Sequence, residues 1–255
     1  MKFSSELGRV ERTLRAELEG GPLHFTLIDP EKSGGEDAAT IARGAVAVGS
    51  HAILLGGSTG ITRERMGAAA SAIRRSVKVP TIIFPEGPGS LAPEADAVLF
   101  MSLLNSRDLD RVVRAHARAA PAVRAMGLEA IPMGYLVIAP GMRVGEVGQA
   151  DPVPRDEPAT AAGYALAAEM LGMRLVYLEA GSGAPSPVPT ELVRAVRRAV
   201  GIPLIVGGGI RSGTEARKLL EAGADILVTG TVTEEEGLGE QFRSIVGEVL
   251  RGRAR

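Results

Sequence analysis

Eight short β-rich runs alternate with segments of helical period along the 255 residues, and this alternation limits the fold more than any other feature. The runs fall at residues 23–28, 52–55, 81–84, 97–100, 130–137, 175–179, 204–206 and 226–228. Between them lie helical stretches at 37–48, 63–76, 109–126, 160–171, 190–199 and 213–222. Strand–helix alternation predicts a parallel sheet, and eight units predict its closure into a (β/α)8 barrel. The strands also read as unbroken apolar runs, such as Ile82-Ile83-Phe84, as strands covered on both faces should. Two segments depart from the ideal. Residues 85–93 hold three prolines and two glycines after the third strand, so the third helix is expected to be missing or replaced by extended chain. Residues 139–158, after the fifth strand, form a long stretch without periodicity, which predicts a functional loop or lid. Leu7, Val10, Leu14 and Leu18 space an amphipathic helix that would cover the barrel bottom. No linker interrupts this pattern, so a single domain over 1–255 is expected.

Composition supports the barrel and excludes several kinds of function. A chain of this length suits one large barrel. Hydrophobic residues make up 45% and aromatics only 3%, so Ala, Val, Leu and Ile must fill the core. A formal net charge of −1 offers no basic surplus for a nucleic-acid backbone. With no cysteine there are no disulfides, thiolate nucleophiles or cysteine-bound metals. The start of the chain shows no apolar signal core and no run is long enough to span a bilayer, so a cytoplasmic location is expected.

Glycine turns follow the last three strands. The sixth runs into Tyr177-Leu178-Glu179-Ala180-Gly181-Ser182-Gly183-Ala184, placing a carboxylate beside a turn almost free of side chains. Such a turn lets a ligand reach backbone N–H groups, and glycine tolerates the positive φ it needs. The seventh strand runs into Gly207-Gly208-Gly209-Ile210-Arg211 and the eighth into Thr229-Gly230-Thr231. In barrels the loops after strands seven and eight commonly form a phosphate site. Arg211 reads either as a further phosphate ligand or as a solvated residue opening the next helix.

Across the barrel, the first strand ends in Asp29-Pro30-Glu31-Lys32 and the second in Gly56-Gly57-Ser58. A carboxylate at the C-terminal end of a barrel strand lies on the reactive face, where Asp29 with the Ser58 hydroxyl suits magnesium, an ion that takes few protein ligands. Asp29 reads equally as a turn residue. His24 and His51 begin strands and read as structural; His116 falls among Arg and Ala in a helix and reads as solvated. The three histidines have no zinc spacing. No P-loop occurs, so nucleotide hydrolysis loses its main support.

Taken in order, residues 24–32, Gly56-Gly57-Ser58, Ser102-Leu103-Leu104-Asn105-Ser106, residues 177–184, Gly207-Gly208-Gly209-Ile210 and Thr229-Gly230 resemble the geranylgeranylglyceryl phosphate synthase family over almost the whole chain. The resemblance implies a modified barrel that alkylates sn-glycerol 1-phosphate with geranylgeranyl diphosphate, using Mg2+, in archaeal ether-lipid synthesis. It implies that Asp29 and Ser58 bind the metal. Tyr177, Leu178, Glu179, Ala180, Gly181, Ser182, Gly183, Gly208, Gly209, Gly230 and Thr231 would hold glycerol phosphate, with Glu179 as the base that takes the hydroxyl proton. Thr231 stands where the family often has Asn. The family is commonly oligomeric, so a homo-oligomer is expected. Lys32 reads as a diphosphate neighbour or a solvated helix-start lysine. Tyr135, Tyr164 and the small-residue face at 161–165 are candidates for the prenyl groove. Three readings remain beside this one: a heptaprenylglyceryl phosphate synthase with a longer donor, a phosphosugar isomerase pairing Asp29 with Glu179, and a phosphate-binding barrel without turnover.

Overall fold

In the computed structural model, which describes residues 7–57, 60–231 and 237–254, the eight strands close into a parallel barrel in sequence order. They are β1 (Leu23–Ile28), β2 (Ala52–Leu55), β3 (Thr81–Ile83), β4 (Ala97–Leu103), β5 (Glu129–Val137), β6 (Leu175–Glu179), β7 (Leu204–Gly207) and β8 (Ile226–Thr229), with β8 pairing back onto β1. The helices are α1 (Arg9–Glu19), α2 (Gly35–Val48), α3 (Arg63–Ser76), α4 (Ala115–Met126), α5 (Met142–Val147), α6 (Pro158–Met170), α7 (Thr190–Ala199), α8 (Gly213–Glu221) and α9 (Glu240–Arg253).

Side chains alternate between two apolar layers because successive residues of a strand point to opposite faces. Leu23, Phe25, Leu54, Leu99, Met133, Tyr135, Tyr177, Ile205 and Val228 fill the barrel interior. Ile53, Ile83, Val98, Val176, Leu178 and Leu227 face outward against the helices, where alanines of α2, α3 and α6 allow close approach. The same parity turns Glu179, two residues beyond Tyr177, into the open C-terminal end of the barrel.

The bottom is closed by α1, as the N-terminal spacing predicts: Val10 and Leu14 join the interior cluster. Its first N–H groups are capped from a distance. Glu129, opening β5, accepts from the N–H groups of Val10 at 2.7 Å and Glu11 at 2.8 Å, which satisfies donors a helix start leaves orphaned. The buried Glu11 carboxylate is neutralised by Arg174 at 2.6 Å and Arg15 at 3.0 Å.

No α-helix follows β3. A three-residue 3₁₀ turn, Pro88–Ser90, is the helical element between β3 and β4, in line with the breaker-rich sequence there. The 139–158 segment, expected as a loop without periodicity, holds a short helix, α5. It is tied down at both ends: Ile138 bridges Val153 and Ser106 bridges Ala150. The helix predicted at 109–126 starts as a π-helical turn, Asp110–Arg114, before continuing as α4.

Candidate active site

Glu179 is 7% exposed and sits where β6 runs into the glycine turn. Its Oε1 accepts from the Gly181 N–H at 2.6 Å, and its Oε2 accepts from the Tyr135 hydroxyl at 3.1 Å. The Tyr177 hydroxyl bonds the same carboxylate. Burial raises the Glu179 pKa, and the three donors, which favour the ionised form, pull it back. Both tyrosine hydroxyls are themselves pushed well above their ordinary range, first by burial and then by the Glu179 charge. They are therefore fixed donors at neutral pH. Phe84 packs edge-on against Tyr135 at 5.6 Å and Tyr177 at 5.8 Å, which locks both rings. Tyr135, a groove candidate from the sequence, thus belongs to the carboxylate's surroundings inside the barrel.

The glycine turns converge as expected. Gly181, Gly183, Gly208 and Gly209 have φ of +103°, +74°, +81° and +70°, a region that disfavours side chains. A Cβ on Gly208 would strike Glu179 and the Gly181 backbone, and one on Gly207 would overlap the Tyr177 hydroxyl. Ser182 and Thr231 share a hydrogen bond at 2.7 Å, joining the turns after β6 and β8. Arg211 lends its guanidinium to the Gly183 carbonyl at 3.3 Å, which bolts the turn after β7 onto the one after β6. Leu178 and Ala180 bury their side chains in the outer layer; Leu178 lies within the sheet between Leu136 and Val206, and Ala180 bonds the Gly207 carbonyl and the Gly141 N–H.

Asp29 lines the opposite side of the same cavity, with Lys32. Its Oδ1 accepts from the Glu31 N–H at 2.9 Å, as the turn reading expects. A Cβ on Gly57 would fill the space directly against this carboxylate. Ser58 lies outside the described residues. Among the described residues no three His, Asp or Glu side chains gather to hold a metal unaided. A single hard carboxylate completed by substrate oxygens and water matches magnesium's chemistry.

The cavity, about 220 Å3, continues from the barrel mouth into an apolar groove. The absent third helix opens it: Leu91, Val98 and Phe100 face Ala115, Ala119 and Val123 of α4, while Val144, Val147 and Gly148 wall the top. The small-residue face at 161–165 is not part of it. Ala161 and Ala165 are buried and Tyr164 packs in the outer layer. His116, expected to be solvated, is half-buried in this groove, its ring edge-on to Phe100 at 4.6 Å. Burial lowers its pKa. His24 is structural, as read: fully buried, it bonds Ser50 at 2.8 Å and Thr229 at 3.0 Å, and burial, with a smaller push from His51, holds its pKa down at about 3. Sequence reasoning missed the groove because its walls come from four separate segments with no shared motif.

The chain matches the PcrB family over residues 13–249. It belongs to that family. Among its relatives, the geranylgeranylglyceryl phosphate synthase of Thermococcus gammatolerans is 49% identical over 247 residues, covering 97% of this chain and 98% of the relative. That of Methanothrix thermoacetophila is 52% identical over 234 residues, covering 91% and 92%. Among solved structures, the (S)-3-O-geranylgeranylglyceryl phosphate synthase of Thermoplasma acidophilum in complex with sn-glycerol-1-phosphate superposes with a TM-score of 0.90 at 46% identity, covering 96% of this chain and 99% of that one. A thiamine phosphate pyrophosphorylase from Pyrococcus furiosus, 18% identical with a TM-score of 0.56, shares the fold alone.

Proposed function

We propose that this chain joins sn-glycerol 1-phosphate to geranylgeranyl diphosphate through an ether bond, releasing diphosphate, in the synthesis of archaeal membrane lipids. One observation carries the reading: a buried carboxylate, Glu179, lines a cavity that runs into an apolar groove and accepts from the Gly181 N–H of the glycine turn beside it. The turns at Gly181–Gly183, Gly208–Gly209 and Gly230–Thr231 would hold the acceptor's phosphate and set its free hydroxyl against Glu179. The prenyl chain would lie along Val98, Phe100 and Ala119. As the allylic carbon–oxygen bond breaks, its electron pair leaves with diphosphate, the acceptor oxygen bonds that carbon, and Glu179 takes the proton. Asp29, with Ser58 as a second candidate, would hold magnesium, which when bound neutralises charge on the departing diphosphate. Lys32 stands on the same side.

A cytoplasmic setting fits a chain whose described helices include none long and apolar enough to cross a membrane. The groove counts against a phosphosugar isomerase, which has no use for an apolar channel beside its acid–base pair. Longer prenyl donors share every feature except the length of groove they need.

The direct test is incubation with magnesium, sn-glycerol 1-phosphate and geranylgeranyl diphosphate, followed by mass analysis for the ether product. Product that vanishes with chelator or with the sn-3 enantiomer supports both the reaction and its metal dependence. Glycerol phosphate binding without product would sink the proposal. Glu179→Gln keeps the shape and removes the base, so turnover should fall about 10²- to 10⁴-fold.

A further inference from the structure

A chain of buried polar side chains runs through the layer between the barrel and its helices. His24, Thr26, Ser50 and Thr229 are each 4% exposed or less. Their surroundings are apolar: Ile53 and Leu227 lie on the adjoining strands, and Phe242 of α9 meets the His24 ring edge-on at 5.4 Å. Thr26 Oγ1 lies 2.7 Å from Ser50 Oγ, Ser50 Oγ lies 2.8 Å from His24 Nδ1, and His24 Nε2 lies 3.0 Å from Thr229 Oγ1. The ring is neutral, so one nitrogen donates and the other accepts. The hydroxyls turn to suit, and every link has its donor and its acceptor. Apolar side chains of the same shape would fill this layer without any polar group to desolvate. A fully bonded polar chain instead holds its members in one arrangement.

That arrangement reaches the candidate site through Thr229. Strand β8 stops at this residue, whose register partner on β1 is Thr26. Gly230 follows, the residue type with the widest choice of backbone angles. It lies against Leu27, whose side chain is 3.4 Å from where a Cβ would stand. Thr231 then bonds Ser182 at 2.7 Å, and Ser182 lines the cavity. With a glycine next in line, the course of the turn after β8 depends on how its last strand residue is held. His24 holds that residue by its side chain.

Resting on the acceptor reading above, we propose that His24 is a positioning residue for acceptor binding: through Thr229 it sets the Gly230–Thr231 turn against Ser182, in the arrangement that receives the phosphate group. Neither His24 nor Thr229 lines the cavity, and both act from the outer layer. A purely structural role would lower stability and touch both substrates alike. A positioning role changes affinity for the acceptor and spares the donor.

Two variants of one residue make the test. Thr229→Val keeps the branched shape and removes the hydroxyl, whereas Thr229→Ser keeps the hydroxyl and removes the methyl. In calorimetric titrations of the full chain with sn-glycerol 1-phosphate, the Val variant should bind about fivefold more weakly, the worth of one buried hydrogen bond. The Ser variant should bind like wild type. In turnover, Thr229→Val should raise KM for the acceptor by the same factor and leave KM for the donor unchanged. His24→Phe keeps a ring and removes both nitrogens; joined to Thr229→Val it should add no further loss of acceptor affinity, since the two residues share one bond. Thr26→Val cuts the far end of the chain and spares that bond, so it should lower the melting temperature and leave acceptor affinity unchanged. Affinity that follows the methyl and not the hydroxyl overturns the proposal, as do equal losses in Thr26→Val and Thr229→Val or additive losses in the double variant. The same titrations with inorganic phosphate separate this inference from the reaction it rests on. Hydroxyl-dependent phosphate binding without ether product overturns the reaction and leaves the positioning role standing, while a wild-type chain that binds neither ligand overturns both.

Discussion

Glu179 shows how the electrostatics of one buried carboxylate are set by neighbours that the local sequence does not name. Burial alone would hold it protonated, and an isolated buried charge is costly. The Gly181 N–H and the hydroxyls of Tyr135 and Tyr177 pull it back toward the ionised form without adding a cation, while the net shift stays upward. Tyr135→Phe removes one donor to the carboxylate and leaves the ring packing with Phe84 in place. Hydrogen bonds to a charged group are worth roughly 1.5–3 kcal/mol, so the acid limb of kcat/KM should move up by about one pH unit or more. A pH profile unchanged from wild type would mean that Tyr135 only fills space.

Among the elements, the loop after β4 organises the mouth of the barrel. The buried Asn105 donates to the carbonyls of Val137 at 2.9 Å and Asp151 at 2.8 Å, and accepts from the Val137 N–H at 3.2 Å. Ser106 adds a bond to the Gly148 carbonyl at 2.6 Å. These contacts fix both ends of the segment carrying α5. That segment in turn presses Gly141 and Met142 onto Gly181, where no Cβ would fit. One asparagine therefore links the groove wall to the glycine turn after β6. Asn105→Ala would leave the buried Val137 N–H without a partner, while the Val137 carbonyl keeps the Val153 N–H at 3.0 Å, and should cost about 2 kcal/mol of stability. It should also raise KM for donor and acceptor together; separate measurement of the two KM values checks this, and an unchanged pair would free the loop from this role. The Asn105 motif was visible as a string of residues, but its partners lie 32 and 46 positions away, beyond the reach of periodicity.

At the scale of the whole molecule, one missing helix converts a closed barrel into one with a lateral groove. Its far end is set by Val98 near the base of β4 and Val123 near the end of α4. Val123→Trp should shorten the groove and cut kcat/KM for a twenty-carbon donor by about tenfold or more, while a ten-carbon donor is largely spared. Donor-length profiling reads this directly, and a uniform loss across lengths would place the tail elsewhere. The barrel–helix layer carries a second global property. Above a pH of about 6.5 His24 is neutral both folded and unfolded. Between there and about 3 only the unfolded chain takes up the proton. Stability from this group is therefore complete at neutral pH and falls by about 1.4 kcal/mol per unit as pH drops through that window. His51, also lowered by burial, acts in the same direction. Glu179 and Asp225, raised by burial, act in the opposite one, so the slope is best taken as the difference between wild type and His24→Asn in urea titrations. Equal slopes in the two proteins would contradict it.

The eight strands, the absent third helix, the carboxylate at the end of β6 and the glycine turns were legible in the sequence. Each depends on local rules: alternation of apolar runs, proline's missing N–H, glycine's access to positive φ. Tertiary structure alone decided that Tyr135 bonds Glu179, that His116 faces a groove and not solvent, and that the 139–158 segment is pinned through Ala150 and Val153. Those outcomes follow from which distant segments meet. Side-chain identity fixes what a residue can do, but burial and partners, set by residues tens of positions apart, fix what it does.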